Sequence, residues 1–522
     1  MFTRKSVWAA GGDFSDRTLL WYAKGVGVLK QRPITDRTSW AFLAAIHGFD
    51  KDLWIFFEYL GHNPPLPSQT DRDTYWDQCQ HGSWYFLPWH RGYLLSLERI
   101  VRDAIVSEGG PEDWALPYWN YSDQNNPKAR HLPPAFSVQN LPDDSPNPLY
   151  VKQRYGEQKN SLPLPEKDVA LKNALESKVF AGRNPGGNPG FGGRLTHFSH
   201  FGGDHGRLES LPHGVIHNDI GNSLKPGNDR KNWGLMTNLD TAALDPIFFL
   251  HHANIDRLWE VWLHRSSTNQ NPSDSSWLIG PGDRRFVVPE VNGTGWTYAA
   301  EDVLSTEALG YNYDDIEDPL GGESALQTRM ARLGSQLPMS ASAMSLSEDD
   351  DFMTNNKRAE LIGANSNQIT LQGRSASTQV QLDKPMMEQT ARSLAAIDND
   401  ETNTQEPDQI YLNLENIRSD VDGPIIDVYV NLPSDADPDE YPELYVGSVA
   451  LFGVRKASQP NQPHGGMGVT QVFDITHVVD ALYLEGKLDD LSSIAVDLRP
   501  RSELTQENNI TVERISIYRE GN

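Results

Sequence analysis

The chain of 522 residues carries 71 acidic and 45 basic residues, a formal net charge of −26, which excludes binding to nucleic-acid phosphates and to anionic membrane surfaces. Its hydrophobic content of 38% and aromatic content of 10% are those of a globular protein, and no apolar run is long enough for a membrane-spanning helix. Cys79 is the single cysteine and no continuous apolar stretch follows the first basic residues, so we expect a cytoplasmic protein without internal disulfides or a signal peptide.

The first part of the chain predicts a mainly helical domain. Apolar residues recur at helical spacing over 39–59, where Ser39 is a candidate N-cap, and again over 91–106 and 246–264. Glycine- and proline-rich stretches such as 180–193 lie between these segments and break regular structure. We therefore expect helices that are connected by long loops.

The composition changes beyond residue 320. Small, polar and acidic residues dominate 334–356, so we predict a flexible linker over 321–356. Short strands follow, because apolar and polar residues alternate in stretches such as 426–432 and turn residues separate these stretches. The sequence therefore predicts a helical domain at 1–320 and an antiparallel β-sandwich at 357–522.

The histidines are concentrated in the helical part, where 13 of the 15 fall between His47 and His264. His213 and His217 are spaced by one helical turn. No glutamate follows His213, which excludes the zinc-protease motif, and the predicted helices lack the Glu-x-x-His signature of di-iron carboxylate proteins. A set of imidazoles without carboxylates suits copper better than a hard cation.

Two segments share one pattern. The segment CQHGSWYFLPWHRGYLLSLERI contains His81 and His90, and LDPIFFLHHANIDRLWEVW contains the pair His251 and His252. In each segment a phenylalanine stands four residues before a histidine, namely before His90 and before His252. Two similar histidine-bearing helices indicate two metal half-sites that face each other.

These motifs resemble those of the tyrosinase/catechol oxidase (polyphenol oxidase) family of type 3 copper enzymes, and the resemblance covers most of the chain. It implies a mainly α catalytic domain, in which a four-helix bundle holds two copper ions, followed by a plant-like antiparallel β-sandwich. The first copper would be bound by His47, His81 and His90, and the second by His213, His217 and His252. His251 would be structural, His62 is the rival ligand, and Tyr311 and Tyr313 match the Tyr-x-Tyr motif that closes the family's catalytic domain.

The resemblance also implies two residues that act beside the metals. Cys79 precedes His81 by two positions, the spacing at which fungal members carry a thioether between the cysteine sulfur and an imidazole carbon. Glu209 matches a glutamate that holds an ordered water near the coppers. Two dications would keep this carboxylate ionised, so it could also accept a phenol proton.

The substrate residues follow from the same resemblance. Gly214 stands where many tyrosinases carry an asparagine that polarises this water, so we expect weak monophenol hydroxylation, with Asn218 as a partial substitute. Leu239 matches the gate above the second copper and leaves room for a substituted ring, and Phe248 completes the substrate set. Asp256 is a candidate partner for a metal-bound imidazole, and a salt bridge with a nearby arginine is the alternative.

The expected function is oxidation of o-diphenols to o-quinones by O2 at the dicopper centre, with phenols and O2 as partners and a homo-oligomer left open. The alternatives are a tyrosinase with full monophenolase activity, an o-aminophenol oxidase, a hemocyanin-like O2 carrier and a copper-free interaction protein. The lack of disulfide cysteines differs from a typical plant member and favours a bacterial source.

The β-domain is predicted to make the enzyme a latent proenzyme. In plant relatives the corresponding domain covers the copper site and inserts one side chain into the entrance. Met386, Met387 and Leu394 are the apolar residues in the predicted loop 384–409 that could act as this plug. We expect cleavage within 334–356 to activate the enzyme.

Overall fold

The computed structural model describes residues 1–154, 163–199, 203–222, 229–321, 325–334, 358–399, 406–434, 436–461, 465–488 and 491–521. Helices dominate up to residue 321 and strands dominate from residue 358. Each part has its own large hydrophobic core. Among the described residues, no helix combines the length and the apolar character needed to cross a membrane.

Nine helices and six short strands are described in the helical domain. The helices are α1 (Arg17–Gln31), α2 (Trp40–His47), α3 (Lys51–Phe56), α4 (Gln69–Tyr75), α5 (Phe86–Ser107), α6 (Lys172–Leu175), α7 (Val215–Gly221), α8 (Ile247–Arg265) and α9 (Ser275–Leu278). The strands are β1 (Phe2–Arg4), β2 (Ala181–Gly182), β3 (Gly193–Arg194), β4 (Phe286–Pro289), β5 (Gly295–Tyr298) and β6 (Tyr311–Tyr313). The predicted mainly helical domain with long loops is therefore confirmed.

The predicted helix over 39–59 is broken at Gly48. Ser39 caps α2 as expected, because its side chain accepts a hydrogen bond from the amide of Phe42. The chain then becomes extended at Gly48, and Asp50 caps α3. A Cβ atom at Gly48 would lie 2.7 Å from the carbonyl oxygen of Leu239. Glycine is therefore required for this close approach, which no local pattern in the sequence reveals.

Buried ion pairs join α5 to α8 and to the N-terminal strand. Asp256 on α8 binds Arg91 on α5 at 2.6 Å and Arg4 on β1 at 3.1 Å. The hydroxyl groups of Tyr311 and Tyr313 on β6 donate to the same carboxylate at 2.6 and 2.5 Å. Of the two expectations for Asp256, the structure supports the salt bridge, and the Tyr-x-Tyr motif closes the domain through it.

The C-terminal domain contains one curled antiparallel sheet. Its elements are α10 (Ala325–Gly334), β7 (Arg358–Ala364), β8 (Ile369–Leu371), β9 (Ala376–Leu382), α11 (Lys384–Asn399), β10 (Gln409–Arg418), β11 (Ile425–Val430), β12 (Tyr445–Ala450), α12 (Val454–Ala457), β13 (Val469–Asp474), α13 (Thr476–Leu484), β14 (Ser493–Pro500) and β15 (Ile510–Gly521). The strand order is β12-β11-β14-β9-β7-β15-β10-β13, and β8 also pairs with β15.

The antiparallel pairing is confirmed, but the strands do not separate into the two layers of a sandwich. The long strand β15 pairs with β10 on one side and with β7 and β8 on the other, so the sheet is continuous. Strand twist curls it nearly into a barrel, and Gly447 on β12 lies against Phe473 on β13 at the two ends of the strand order.

Two predicted loops contain helices. Within the predicted linker 321–356, helix α10 is bound to the C-terminal domain, where Arg329 forms an ion pair with Asp480 at 2.8 Å. Residues 335–357 lie outside the described residues. The predicted loop 384–409 begins with helix α11, and its Met387 and Leu394 are buried in the core of the C-terminal domain, against which Met386 packs. The prediction that one of these three residues plugs the active site is wrong.

Candidate metal centre

The first histidine group is built by two helices and the loop between them. His47 is the last residue of α2, His81 lies in the loop before α5, and His90 lies in the second turn of α5. Ring nitrogens of these three residues and the sulfur of Cys79 all lie within 4.8 Å of one another. The structure therefore brings together the three residues predicted for the first copper.

The second group lies on α7, on the π-helical turn before it and on α8. His213 is in the turn Glu209–Gly214, His217 is in α7, and His251 and His252 are in α8. Nitrogen atoms of these four rings also lie within 4.8 Å of one another.

The two groups face each other in the interior of the domain. The rings of His90 and His252 stack with a centroid distance of 4.3 Å, and those of His81 and His213 are 5.6 Å apart. Neither group contains a carboxylate among the described residues. The donor set therefore suits two neighbouring copper ions, as the all-imidazole pattern predicts.

Backbone carbonyl groups fix the orientation of four of the rings. Their Nδ1 atoms lie 2.7 to 3.2 Å from backbone carbonyl oxygens. The pairs are His47–Leu239, His90–Phe86, His213–Glu209 and His217–Met236. A metal-bound imidazole typically donates its second N–H in this way, which leaves Nε2 for the metal. The buried Nε2 atoms of His47 and His213 have no hydrogen-bond partner among the described residues.

Burial keeps these imidazoles in the neutral form that binds metals. It lowers the pKa of His47 to about 3 and that of His90, His213, His217 and His252 well below the usual value, with a further contribution from neighbouring histidines. Protonation therefore does not compete with a metal for these nitrogen atoms near neutral pH.

His251 and His252 differ in what their nitrogen atoms face. The Nε2 of His252 lies 3.2 Å from the Nε2 of His217, and the His252 ring stacks on that of His90 in the first group. His251 points its Nδ1 to the hydroxyl group of Tyr121 at 3.3 Å, and its ring stacks on His213. Both rings belong to the second group, and the buried Nε2 of His251 has no hydrogen-bond partner among the described residues, so the choice of His252 as the metal ligand stays a prediction of the family resemblance.

Glu209 lies beside the first group. Its Oε1 accepts a hydrogen bond from the amide of Gly82 at 2.8 Å, and its buried Oε2 has no partner among the described residues. Burial raises the pKa of Glu209 to about 8, although the amides of Gly82 and Gly206 oppose this change. Two bound dications would lower this pKa again and favour the carboxylate.

Cys79 lies at the edge of the His81 ring. Its sulfur is 3.3 Å from Nδ1 and 3.8 Å from Nε2 of that ring, so it faces the carbon atom that joins the two nitrogens. Desolvation raises the pKa of the Cys79 thiol well above its usual value. The position agrees with the predicted crosslink, and the protonated thiol is not itself a strong metal ligand.

Two of the predicted substrate residues face the C-terminal domain. A Cβ atom at Gly214 would lie 3.3 Å from the carbonyl oxygen of Glu209 and 3.7 Å from Cβ of Ala450. The amide of Asn218 donates to the carbonyl oxygens of Asp422 and Pro424 at 3.0 and 3.3 Å. This orientation overturns the expectation that Asn218 substitutes for the missing asparagine at Gly214.

The other two predicted substrate residues lie on different sides of the site. Leu239 is half-buried, its carbonyl oxygen binds His47, and its side chain approaches Gly453 of the C-terminal domain. Phe248 is fully buried and packs against the rings of His47 and His252, with centroid distances of 4.8 and 4.1 Å. Leu239 therefore lies between the first histidine group and the C-terminal domain, and Phe248 lies in the core beside the histidines.

Sequence reasoning missed the residue that covers the site, Phe452. Its ring stacks on that of His217 with a centroid distance of 4.0 Å and an interplanar angle of 15°, and it also contacts His81 and His213. Phe452 is 4% exposed and lies in the turn between β12 and α12, where Gly453 has a φ of 77°. A bulky aromatic residue before a turn glycine is the signal that could have indicated it.

Ion pairs join the two domains around this turn. Asp240, next to the gate residue, binds Lys456 at 3.2 Å, Arg455 at 3.1 Å and Arg230 at 2.8 Å, and Lys456 also binds Asp77 at 3.0 Å. Other ion pairs across the interface are Arg501–Asp168, Lys167–Asp427 and Arg207–Asp474. Burial opposes the ionisation of Asp240, but the three cations lower the pKa of Asp240 to about 2.

Comparison with known proteins supports both parts of this description. Residues 37–265 match the common central domain of tyrosinase, and residues 358–520 match a domain of unknown function, DUF7868. The chain is 35% identical over 534 residues to the tyrosinase HcTyr1 of Hahella sp. (strain CCB-MM4), and the match covers 100% of both chains. It is 29% identical to a chloroplastic polyphenol oxidase of Malus domestica, over 57% of this chain and 46% of that protein.

Solved structures share the two-domain fold. Latent apple tyrosinase matches with a TM-score of 0.58 and 22% identity, over 100% of this chain and 97% of that chain. A latent aurone synthase matches with a TM-score of 0.59 and 19% identity, over 99% and 89%. The full-length match and the two facing histidine groups together lead to one conclusion: the chain belongs to the tyrosinase family of copper oxidoreductases.

Proposed function

We propose that the protein is a latent polyphenol oxidase that oxidises o-diphenols to o-quinones with O2. The observation that carries this proposal is the position of Phe452, whose ring stacks on His217 where two histidine groups face each other. An aromatic side chain occupies the place that the ring of a phenolic substrate would take. We call the C-terminal domain, residues 358–521, the lid.

The ligand set consists of three imidazoles for each metal. His47, His81 and His90 would hold one copper, and His213, His217 and His252 would hold the other. Bound there, two copper ions supply the redox chemistry that passes electrons from the diphenol to O2. The protein keeps the six imidazoles neutral and oriented, and the surrounding core excludes other ligands.

The remaining residues bind the substrate and move its proton. With Phe452 withdrawn, a catechol ring would lie on His217, beside the gate residue Leu239. Glu209 lies beside the first histidine group with a buried, unpartnered oxygen, so it can hold a water and accept the phenol proton. The Cys79–His81 crosslink would fix one imidazole before substrate binds, in agreement with a sulfur that faces the ring carbon.

Latency follows from the contacts of the lid. Phe452 blocks the entrance, and Lys456 and Arg455 beside it bind Asp240 of the catalytic domain. Both structural neighbours described above are named as latent enzymes, and each matches this chain over 99 to 100% of its length, including the lid. This similarity supports latency as the role of the lid in this chain.

A tyrosinase with full monophenolase activity is the second candidate, because the relative that matches over the full length is named a tyrosinase. Gly214 argues against it, since a glycine offers no side-chain amide to the water that Glu209 would hold. The test is a panel of monophenols, o-diphenols and o-aminophenols on copper-loaded chain that is opened with mild detergent. We expect o-diphenols to turn over fastest. If monophenols turn over as fast, the enzyme is a tyrosinase with full monophenolase activity, and if o-aminophenols do, it is an o-aminophenol oxidase.

The Gly214→Asn variant is expected to raise the rate on monophenols relative to diphenols. The added amide would be the second partner of the water at Glu209, and one hydrogen bond of ~1 kcal/mol corresponds to roughly a fivefold to tenfold change in rate. The assay uses detergent-opened enzyme, because the new side chain would otherwise meet Ala450 of the lid. Gly214→Ala is the control. If the ratio of the monophenol rate to the diphenol rate is the same in both variants, the amide does not have this role.

Acid is expected to open the lid through Asp240. Its pKa is about 2 in the docked state, below the ordinary 3.8, so protonation favours the undocked state. The contact is complete above pH 3.8 and is lost as the pH falls toward about 2. Activity measured immediately after a jump from this window to pH 7 should therefore be raised, and it should decay as the lid docks again.

The Lys456→Gln variant tests this contact directly. It removes one of the three cations around Asp240, so activation should need less acid and less detergent than in the parent chain. Lys487→Gln, which removes an exposed ion pair within the lid, is the matched control. If both variants open under the conditions that open the parent, the ion pairs at Asp240 do not hold the lid.

A further inference from the structure

The lid contacts the catalytic domain at a second place, away from Phe452. Its edge strand β13 pairs with the segment before Glu209, because the amide of Thr470 donates to the carbonyl oxygen of Gly203 at 2.6 Å and Asp204 forms a parallel bridge with Thr470. The next residues on the two segments are His205 and Gln471. This backbone pairing sets the register that brings their side chains together.

The side chains of these residues form a directed series of hydrogen bonds. The hydroxyl group of Ser210 donates to Oε1 of Gln471 at 2.8 Å, and Nε2 of Gln471 donates to Nδ1 of His205 at 2.7 Å. An imidazole nitrogen that accepts a hydrogen bond carries no proton. With the amide in this orientation, neutral His205 therefore carries its proton on Nε2.

This Nε2 faces the glutamate of the metal centre. It lies 3.8 Å from Oε1 of Glu209, and the two residues are 7% and 1% exposed. The same Oε1 accepts from the amide of Gly82, and the carbonyl oxygen of Gly82 accepts from the amide of Gly203. The segment paired with the lid and the glutamate are thus tied together by backbone and side chain. A distance of 3.8 Å is longer than a hydrogen bond, and we expect small rotations to close it when substrate binds, because catalytic hydrogen bonds are often long before the substrate complex forms.

We propose that His205 is a positioning residue for Glu209 and that Gln471 of the lid selects its tautomer. The N–H group of His205 orients the carboxylate, so that Oε2 faces the water and the substrate. The lid then has two effects, since Phe452 blocks the entrance while Gln471 holds Glu209 ready. This inference rests on the role of Glu209 in the proposed function.

The kinetic test uses full-length, copper-loaded chain that carries Phe452→Ala, so that the site is open while the lid stays in place. His205→Phe removes the N–H group, His205→Gln keeps an N–H donor and an acceptor for Gln471, and Gln471→Leu removes the contact from the lid. A monophenol is a weaker acid than a catechol, so its turnover depends more on the base. We expect kcat for the monophenol to fall about 10- to 100-fold in His205→Phe, the effect typical of residues that orient a catalytic group.

The pattern across variants separates positioning from a structural role. KM should change less than about threefold, kcat for the catechol should fall less than for the monophenol, and copper should stay at two per chain. His205→Gln should recover most of the loss, and Gln471→Leu should show a smaller loss in the same direction. An unchanged ratio of the two rates, or an equal loss of copper and of both activities, would overturn the proposal. If His205→Phe does not fold, the other two variants decide.

A second readout does not depend on turnover. Nitrogen NMR of protein with labelled histidines reports the tautomer of His205. The protein is fully reduced and therefore diamagnetic. The signals of His205 are those that the His205→Gln variant lacks. We expect the Nε2–H form in the parent and a mixture of tautomers in Gln471→Leu. The Nδ1–H form in the parent would contradict the proposal. If the open parent oxidises neither class of phenol, the proposed function fails, and the NMR result still decides the tautomer.

Discussion

The Phe452→Ala variant is expected to increase catechol oxidation by the full-length enzyme about 10- to 100-fold. The ring is 4% exposed and stacks on His217, so alanine removes both the obstacle and its packing. Burial of a phenylalanine side chain contributes about 1.5 to 3 kcal/mol, which corresponds to this range if it is the free energy that a substrate otherwise needs to displace the ring while the other lid contacts stay in place. The measurement is kcat/KM on a bulky catechol without detergent.

Two controls accompany this variant. Met467→Ala shortens another apolar side chain of the lid, which is 59% exposed, and should leave the enzyme latent. Detergent should activate the parent chain strongly and Phe452→Ala only weakly, because the entrance of the variant is already open. If Phe452→Ala is as inactive as the parent before detergent and is activated equally by it, Phe452 is not the plug.

The His252→Ala variant is expected to lose copper, and its activity should be more than about 100-fold lower than that of the parent. The Nε2 atom of His252 lies 3.2 Å from that of His217, and even residues that only orient a ligand change metal affinity 10- to 100-fold. Copper content is measured by metal analysis after reconstitution, together with catechol oxidation by detergent-opened protein.

Two histidines on the same helix are the controls for His252→Ala. His264, at the C-terminal end of α8, binds the carbonyl oxygen of Glu260, and its replacement by alanine should leave both copper ions in place. His251→Phe should retain more copper than His252→Ala, because His251 faces Tyr121. If His251→Phe loses copper and His252→Ala keeps both ions, the two assignments are reversed.

The parts of the fold and site that could be predicted from the sequence depend on local spacing. Helical periodicity predicts α8 to within a residue at each end, and the matched phenylalanine–histidine pairs predict two half-sites. These signals are visible in the sequence because residues on one face of a helix recur every three or four positions. The same reasoning predicts the alternating strands of the C-terminal domain.

The remaining features depend on contacts between distant segments. Gly48 breaks a helix because residue 239 approaches it, and Phe452 reaches the site because two domains dock. Gln471 meets His205 through the pairing of a strand edge with a loop. Met386 and Met387 have the apolar character of a plug, but both pack into the core of their own domain. Composition alone does not distinguish these two uses of an apolar residue.

Copper content and O2 uptake, measured together on the same protein, test the central claim most directly. Detergent-opened, full-length chain that is reconstituted with copper is mixed with 4-tert-butylcatechol in a closed oxygen-electrode cell. We expect two copper ions per chain, as six imidazoles in two facing groups imply, with O2 uptake that continues until the catechol is exhausted and quinone that forms in parallel. Two bound copper ions with reversible O2 binding but no quinone would indicate an O2 carrier and contradict the account, as would a chain that binds no copper.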